Sequence, residues 1–351
     1  MKKDFVLQSL FSFKGKVGRI GIFMSLLLAS LGALSQGLFW AILAVGVYIA
    51  FRILNFADMT SEGSFALGGS VSAILIVGVG LNPFLSLIIA IFAGMIAGAI
   101  TGWLHTKLQI PAILSGILTM IALYSMNLRI MGQANTSLLG QNTIISVIKG
   151  WLPTAKAMGI KDSSLNLIVS ITVGIIFCAL VVAFLYWFFG TEIGCAIRAT
   201  GNNEAMVRAQ GANTDKMKIL GLVLGNGLIA LSGALVAQTQ GYADVSMGVG
   251  AIVIGLASIV IGEVIFHRRR SFAHKLIAII VGSVIYRVII AVVLQMGLNT
   301  NDLKLLTAFL VAFALSFPIL KHKYEPFFNK IAPLFKIFKS LKRRNPNVNN
   351  H

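Results

Sequence analysis

Charge of one sign is nearly missing from this chain. It has 11 Asp and Glu against 29 Lys and Arg, and charged residues make up only 11% of 351 residues. A soluble domain carries about 25% charged residues, so an ordinary water-facing surface is excluded. The two cysteines, Cys178 and Cys195, form no CxxC pair, which leaves no disulfide framework and no thiolate metal site to expect. The five histidines are scattered, and no HExxH, G-x-S-x-G or G-x-x-x-x-G-K-[ST] occurs. Without a nucleophile elbow, a zinc-binding helix or a P-loop, the chain reads as no enzyme, with no catalytic residue, no metal and no cofactor.

Apolar sequence fills the space. Hydrophobic residues make up 57% of the chain and mean hydropathy is +0.88. A transmembrane helix needs about 20 mainly apolar residues, and the stretches here lack the polar face of a soluble helix. The fold class is therefore an all-α polytopic membrane protein of about ten transmembrane helices. They are expected at 20–36, 37–54, 64–81, 84–103, 110–131, 165–189, 217–240, 250–266, 272–296 and 303–320. Only Gln36-Gly37 divides the first two. The basic N-terminus before an apolar run resembles a signal peptide, but apolar sequence resumes at once, so an uncleaved first span is expected.

The bases set the orientation. On one side of a ten-span map fall the first tail, Lys107, the 190–218 loop, the 267–275 loop and the last tail, which together hold 22 of the 29 Lys and Arg. Such an excess marks the cytoplasmic side, so both termini are expected in the cytoplasm and the net charge of +18 implies no nucleic acid. Three regions follow: a basic tail at 1–19, a transmembrane domain at 20–320, and a basic amphipathic tail at 321–351. In that last tail Leu334, Phe335, Phe338 and Leu341 recur at helical spacing among lysines, a pattern suited to an anionic lipid surface.

From Thr191 on, the 190–218 loop reads TEIGCAIRATGNNEAMVRAQGANTDKMK. Asn202 or Asn203 can cap a short helix, with Glu204 near its positive end and Arg208 near its negative end. Gly211 supplies a left-handed stop. A helix of about seven residues is marginal alone, so it needs a partner to dock on.

This loop resembles the membrane subunits of ATP-binding-cassette importers, in the class of branched-chain amino-acid and ribose permeases. The matching residues are Arg198, Ala199, Gly201, Asn202, Ala205, Gly211 and Lys218. The spans ILGLVLGNGLIALSGALVAQTQG and AIVIGLASIVIGE are similar to theirs, and the likeness covers roughly residues 36–320. It implies a type II importer-like fold, a two-fold dimer with a second permease subunit, and cytoplasmic ABC ATPase subunits that hydrolyse the ATP. It also implies an extracytoplasmic solute-binding protein and a bacterial-type cell membrane. The loop would be the coupling element, with Asn202, Asn203, Glu204, Ala205, Met206, Arg208, Ala209 and Gly211 at the ATPase.

Residues 55–70 read NFADMTSEGSFALGGS. The form Asp-x-Thr-x-acid-Gly-Ser-Phe-x-Leu-Gly resembles a subgroup linked to tryptophan and tyrosine uptake, which implies an amino acid, and an aromatic one, as solute. Residues 1–35 precede that subgroup's pattern. Read for themselves, polar groups at membrane depth must face protein or water. The segment is thus either a broken helix lining a path or a turn at the cytoplasmic side. Asn55, Asp58, Thr60, Glu62 and Ser64 are its candidate path residues.

Phe56-Ala57-Asp58-Met59-Thr60 is echoed by Tyr242-Ala243-Asp244-Val245-Ser246. Five spans lie between the copies, an odd number, which is the pattern of an inverted repeat with the solute path between its halves. Asp244, Gln238 and Gln240 join the candidates. So does Arg287, in mid-span, which can pair with Asp244 or Asp302 or meet a solute carboxylate. The residues alone leave open an ion-coupled secondary carrier and a non-transporting membrane scaffold.

Overall fold

In a computed structural model the described residues are 29–151, 162–266, 271–295 and isolated positions between 302 and 316. The tails at 1–19 and 321–351, and nearly all of the span expected at 303–320, lie outside them. Long apolar helices dominate. They are α1 (Ala29–Ile53), α2 (Thr60–Val77), α3 (Pro83–Lys107), α4 (Ala112–Met131), α6 (Asp162–Phe188), α9 (Thr214–Gln240) and α11 (Phe272–Gln295). These seven are long and apolar enough to cross a membrane, and the shorter α10 (Ala251–Ile265) is apolar as well. Three short helices, α5 (Ile144–Gly150), α7 (Glu192–Asn202) and α8 (Glu204–Ala209), lie between them.

Ten helices are thus not what the described residues show, and the division at Gln36-Gly37 is wrong. α1 runs unbroken through both residues. A glycine inside a membrane helix keeps its backbone bonds, and its missing side chain admits a neighbour. A Cβ on Gly37 would press 2.8 Å from the Val284 backbone of α11. At its far end α1 passes into a π-helical turn, Ile49–Ile53, and stops at Asn55, which adopts a left-handed φ of 54° that asparagine tolerates better than most residues.

α9 is the axis of the bundle, buried along most of its length, with α2 beside it. Both pairings depend on small residues. Gly94, Gly98 and Gly102 recur every fourth position of α3 and meet Asn226, Leu222 and Ile219 of α9. Gly68 of α2 meets the Ala230 backbone, and Gly233 of α9 meets the Phe65 backbone. The outer helices turn apolar side chains outward instead. Ile88, Phe92 and Ile96 on α3, Ile113, Leu118 and Ile121 on α4, and Ile175, Ile176 and Leu180 on α6 are all exposed. That arrangement suits a surround of lipid tails, which are as apolar as leucine.

The two ends of the bundle differ. At one, strands β1 (Asn135–Ser137) and β2 (Tyr242–Asp244) pair antiparallel, with Thr136 opposite Ala243. α5 lies at this end, begun by a reciprocal cap between Thr143 and Ser146. At the other end sit α7 and α8. α9 connects the two.

Candidate functional site

The polar break after α1 does not stay at the α7–α8 end. Leu54 packs on Gly221, yet Asp58 accepts a hydrogen bond from Asn226 Nδ2 at 2.7 Å. Asn226 lies twelve residues into α9, about 18 Å along its axis at 1.5 Å per residue. Residues 55–59 therefore climb back into the bundle, and α2 begins near its mid-level. Its start at Thr60 rather than 64 follows from capping: Asp58 Oδ1 accepts from Thr60 N at 2.9 Å, satisfying one of the free amides of a helix start.

Around Asp58 a sealed polar seam joins α2, α3 and α9. The hydroxyls of Thr60 and Thr101 are 2.6 Å apart, Ser64 Oγ donates to Asn226 Oδ1 at 2.7 Å, and Ser61 Oγ donates to the Asp58 carbonyl at 3.1 Å. Asp58, Thr60, Ser64, Thr101 and Asn226 are each 0% exposed. Asn55 stands apart, exposed beside Arg52, Arg198 and Lys275 in a cavity of about 760 Å³ at the α7–α8 end. The seam is thus closed to any solute in this conformation. Sequence reading singled out Asp58, Thr60 and Ser64 but not Ser61 or Thr101, the latter signalled only by a hydroxyl on an apolar helix.

Asp58→Ala should lower stability as well as activity. It leaves Asn226 and the Thr60 amide short of an acceptor, a loss of about 1–3 kcal/mol for a buried group. Melting in detergent should show a clear fall in Tm, and Asp58→Asn, which keeps an acceptor oxygen, a smaller one. A wild-type Tm for Asp58→Ala would refute the seam's structural role.

Glu62 is also a cap, though on another helix. Its Oε1 accepts from Gly250 N at 3.0 Å, at the start of α10. The echo of Asp58 recurs in geometry: Asp244 Oδ1 accepts from Ser246 N at 2.7 Å, two residues on, and from the Ser246 hydroxyl. In both copies the chain folds back toward the bundle after the aspartate, for Gly248 packs on the Glu62 backbone. Asp244 differs in lying half-buried, beside Asn135.

Gln238 is a hub at the β-pair end. Its Nε2 donates to Ser72 Oγ (2.9 Å) and Ser86 Oγ (3.1 Å), and its Oε1 accepts from Ile144 N at 3.0 Å. It also borders a cavity of about 510 Å³ lined by Ser35, Gln36, Lys149, Asn166 and Thr239 among others. Gln240 is half-buried. Arg287 does not meet Asp244 or any other carboxylate among the described residues. Its guanidinium carbon lies 4.0 Å from the Trp40 ring centre instead, because an aromatic face attracts a cation without a counter-charge. Trp40 was missed, since no pattern in the sequence ties it to a residue on α11.

The α7–α8 end carries a different kind of surface. The chain forms two helices here, not one, and Asn202 ends the first. Asn203 caps the second, its side chain accepting from Met206 N at 3.0 Å. Gly211 leaves it with φ 83°. Val207 is the buried anchor, while Ala205, Met206 and Ala209 are exposed. Lys218 Nζ lies 2.7 Å from Glu204, and Arg208 lies 2.9 Å from Glu204 and 3.6 Å from Asp215. The Lys218 hydrogen bond holds the Glu204 carboxyl below its ordinary range, with Thr214 and Arg208 adding to it. Its charge contribution is present above the usual carboxylate pKa and fades only as pH falls through the lowered value, so the network is intact near neutrality. Beside it opens a groove of about 990 Å³ lined by His105, Gln109, Glu204, Ala205, Ala209 and Asp215 among others.

Known proteins resemble this chain over most of its length. The family described as "Branched-chain amino acid transport system / permease component" matches residues 29–316. The chain is 38% identical to a tyrosine transport system permease protein of Clostridioides difficile over 80% of its own length and 88% of that protein's. It is 33% identical to an uncharacterised protein of Rickettsia prowazekii, covering 81% and 95% of the two chains. With a ribose import permease protein of Escherichia coli strain K12 it shares 28% identity over 60% of this chain and 61% of the other.

Proposed function

Because the chain belongs to the branched-chain amino acid transport system permease family and is thus the permease component of an ABC-type transport system, we propose that it imports an aromatic amino acid. Tyrosine is the first candidate, from the name of the relative in Clostridioides difficile. Two copies of the chain form the path, two cytoplasmic ATPases supply the energy, and an extracytoplasmic binding protein delivers the solute. The observation that carries this reading is α8. A six-residue helix, held by Val207 beneath and an ionic network at its side, presents small exposed residues next to an open groove.

The seam around Asp58 and the fold-back after Asp244 are the matching halves of an inverted repeat, and the path opens between them. Asp58 and Glu62 act there as helix caps, which favours this reading over an ion-coupled carrier that titrates them.

The test is reconstitution. Tyrosine uptake into proteoliposomes should require ATP, the copurified ATPase and the binding protein. Uptake driven by an ion gradient with no ATPase present would refute the importer reading.

The proposed orientation puts the β-pair end outside and α7–α8 in the cytoplasm, with both termini inside. In a Cys195→Ser background, a cysteine at Leu139, which is 82% exposed, should react with an impermeant maleimide in intact cells. A cysteine at Met206 should react only after the cells are opened. Labelling of position 206 from outside would invert the map.

A further inference from the structure

The α1–α11 interface holds a cation with unfilled hydrogen-bonding capacity. Arg287 stacks on Trp40, but its Nε is buried and finds no acceptor. The Trp40 indole Nε1 is buried and unpartnered too, in a residue 7% exposed. On the preceding position, the Tyr286 hydroxyl is a third buried polar group with no partner, in a residue 1% exposed. No carboxylate among the described residues lies within salt-bridge distance of Arg287.

Such an arrangement is costly. An arginine in mid-membrane is expensive unless it is paired or wetted, and stacking on an indole offsets only part of that cost. The stacking leaves the Arg287 Nε–H and the Trp40 N–H unfilled, and buried donors are rarely left so. The guanidinium and the indole N–H can only donate, so their missing partner is an acceptor, and the fixed charge makes it an anion. A planar guanidinium fork matches a carboxylate.

The position suits a passing solute. Gly37 packs against Val284, which sets α1 and α11 side by side at this level. Gln36 and Trp40, four residues apart, share one face of α1, and Gln36 lines the cavity of about 510 Å³ at the β-pair end. Trp40 also packs on Phe65, with ring centres 4.9 Å apart, in the segment where Ser64 joins the seam.

We infer that Arg287 and the Trp40 indole N–H bind the carboxylate of the transported amino acid between the outer cavity and the seam. This rests on the importer reading for the identity of the solute, and it adds the residue that reads the solute's acid group.

The probes are L-tyrosine and tyramine, which lacks only the carboxylate. Saturation-transfer NMR of the full chain in nanodiscs should give a tyrosine signal several-fold above that of tyramine. Arg287→Gln should erase the difference, Arg287→Lys should retain part of it, and Trp40→Phe, which keeps a ring but loses the N–H, should reduce it. Melting of each variant separates loss of a site from loss of fold, since Arg287→Lys with a wild-type Tm still tests the charge. Equal signals from both probes in the wild type would overturn the inference. So would an Arg287→Gln variant that keeps the preference. The measurement needs no ATPase, so it decides the site independently of whether ATP drives uptake. If the assembled complex carrying Arg287→Gln imports tyrosine at the wild-type rate, the site falls while the importer reading stands.

Discussion

Gly68→Ala should leave no folded permease to purify. The added Cβ would land on the Ala230 carbonyl, with the Ala230 backbone carbons close behind. Backbone cannot move aside as a flexible side chain can. The helices would have to separate, and Gly233 against the Phe65 carbonyl on the same interface shows that the tight approach is shared by both partners. Separation would also stretch the Ser64–Asn226, Asn226–Asp58 and Gln238–Ser72 hydrogen bonds. Overpacking alone costs about 1–3 kcal/mol, and breaking a buried network as well takes the total to about 4 kcal/mol or more, which few single substitutions reach. Gly150→Ala is the control, since a Cβ there meets nothing within 4 Å. Size-exclusion profiles and melting in detergent would check both. A monodisperse Gly68→Ala protein with a wild-type Tm would show that the α2–α9 contact is looser than drawn.

The same contact shows what the sequence can and cannot reveal. That α2 and α9 are rich in glycine is plain from ALGGS and GNGLIALSG, and small residues in apolar helices do imply close packing. Which glycine meets which carbonyl is a property of the crossing, and it joins residues 65 and 233 that no local pattern relates. Gln36-Gly37 was misread for a related reason. Glycine signals a break when helices must compete with water, but in an apolar helix its backbone bonds hold. Asn203 and Gly211, by contrast, were legible because a cap and a left-handed stop are local events. Asp58 lay between these cases. Its bond to the Thr60 amide is local and could be read; its bond to Asn226, 168 residues away, could not. Arg287 was correctly marked as an unusual charge, but its partner proved to be a ring rather than a carboxylate.

Ala205→Arg should leave the permease folded and stop transport. Ala205 is exposed and touches the groove beside α8 rather than the bundle, so the substitution has no core contact to break. α8 is six residues long, about 9 Å, too short to be stable on its own. It is held by Val207, the Asn203 cap and the Lys218–Glu204–Arg208 network, none of which includes Ala205. What the substitution changes is the outer face. If the ATPase docks on this face as proposed, an arginine brings a long charged side chain into the contact, and a desolvated unpaired charge at an interface costs several kcal/mol. Even about 1.4 kcal/mol is a tenfold loss of affinity, so ATPase stimulation and uptake should fall by at least about tenfold. Arg208→Ala should matter less, because a rim charge mainly tunes association. The measurements are Tm and size-exclusion profile of the permease alone, followed by copurification and turnover of the ATPase. If Ala205→Arg assembles and turns over like the wild type, α8 is not where the ATPase pulls, and the exposed small face must have another occupant.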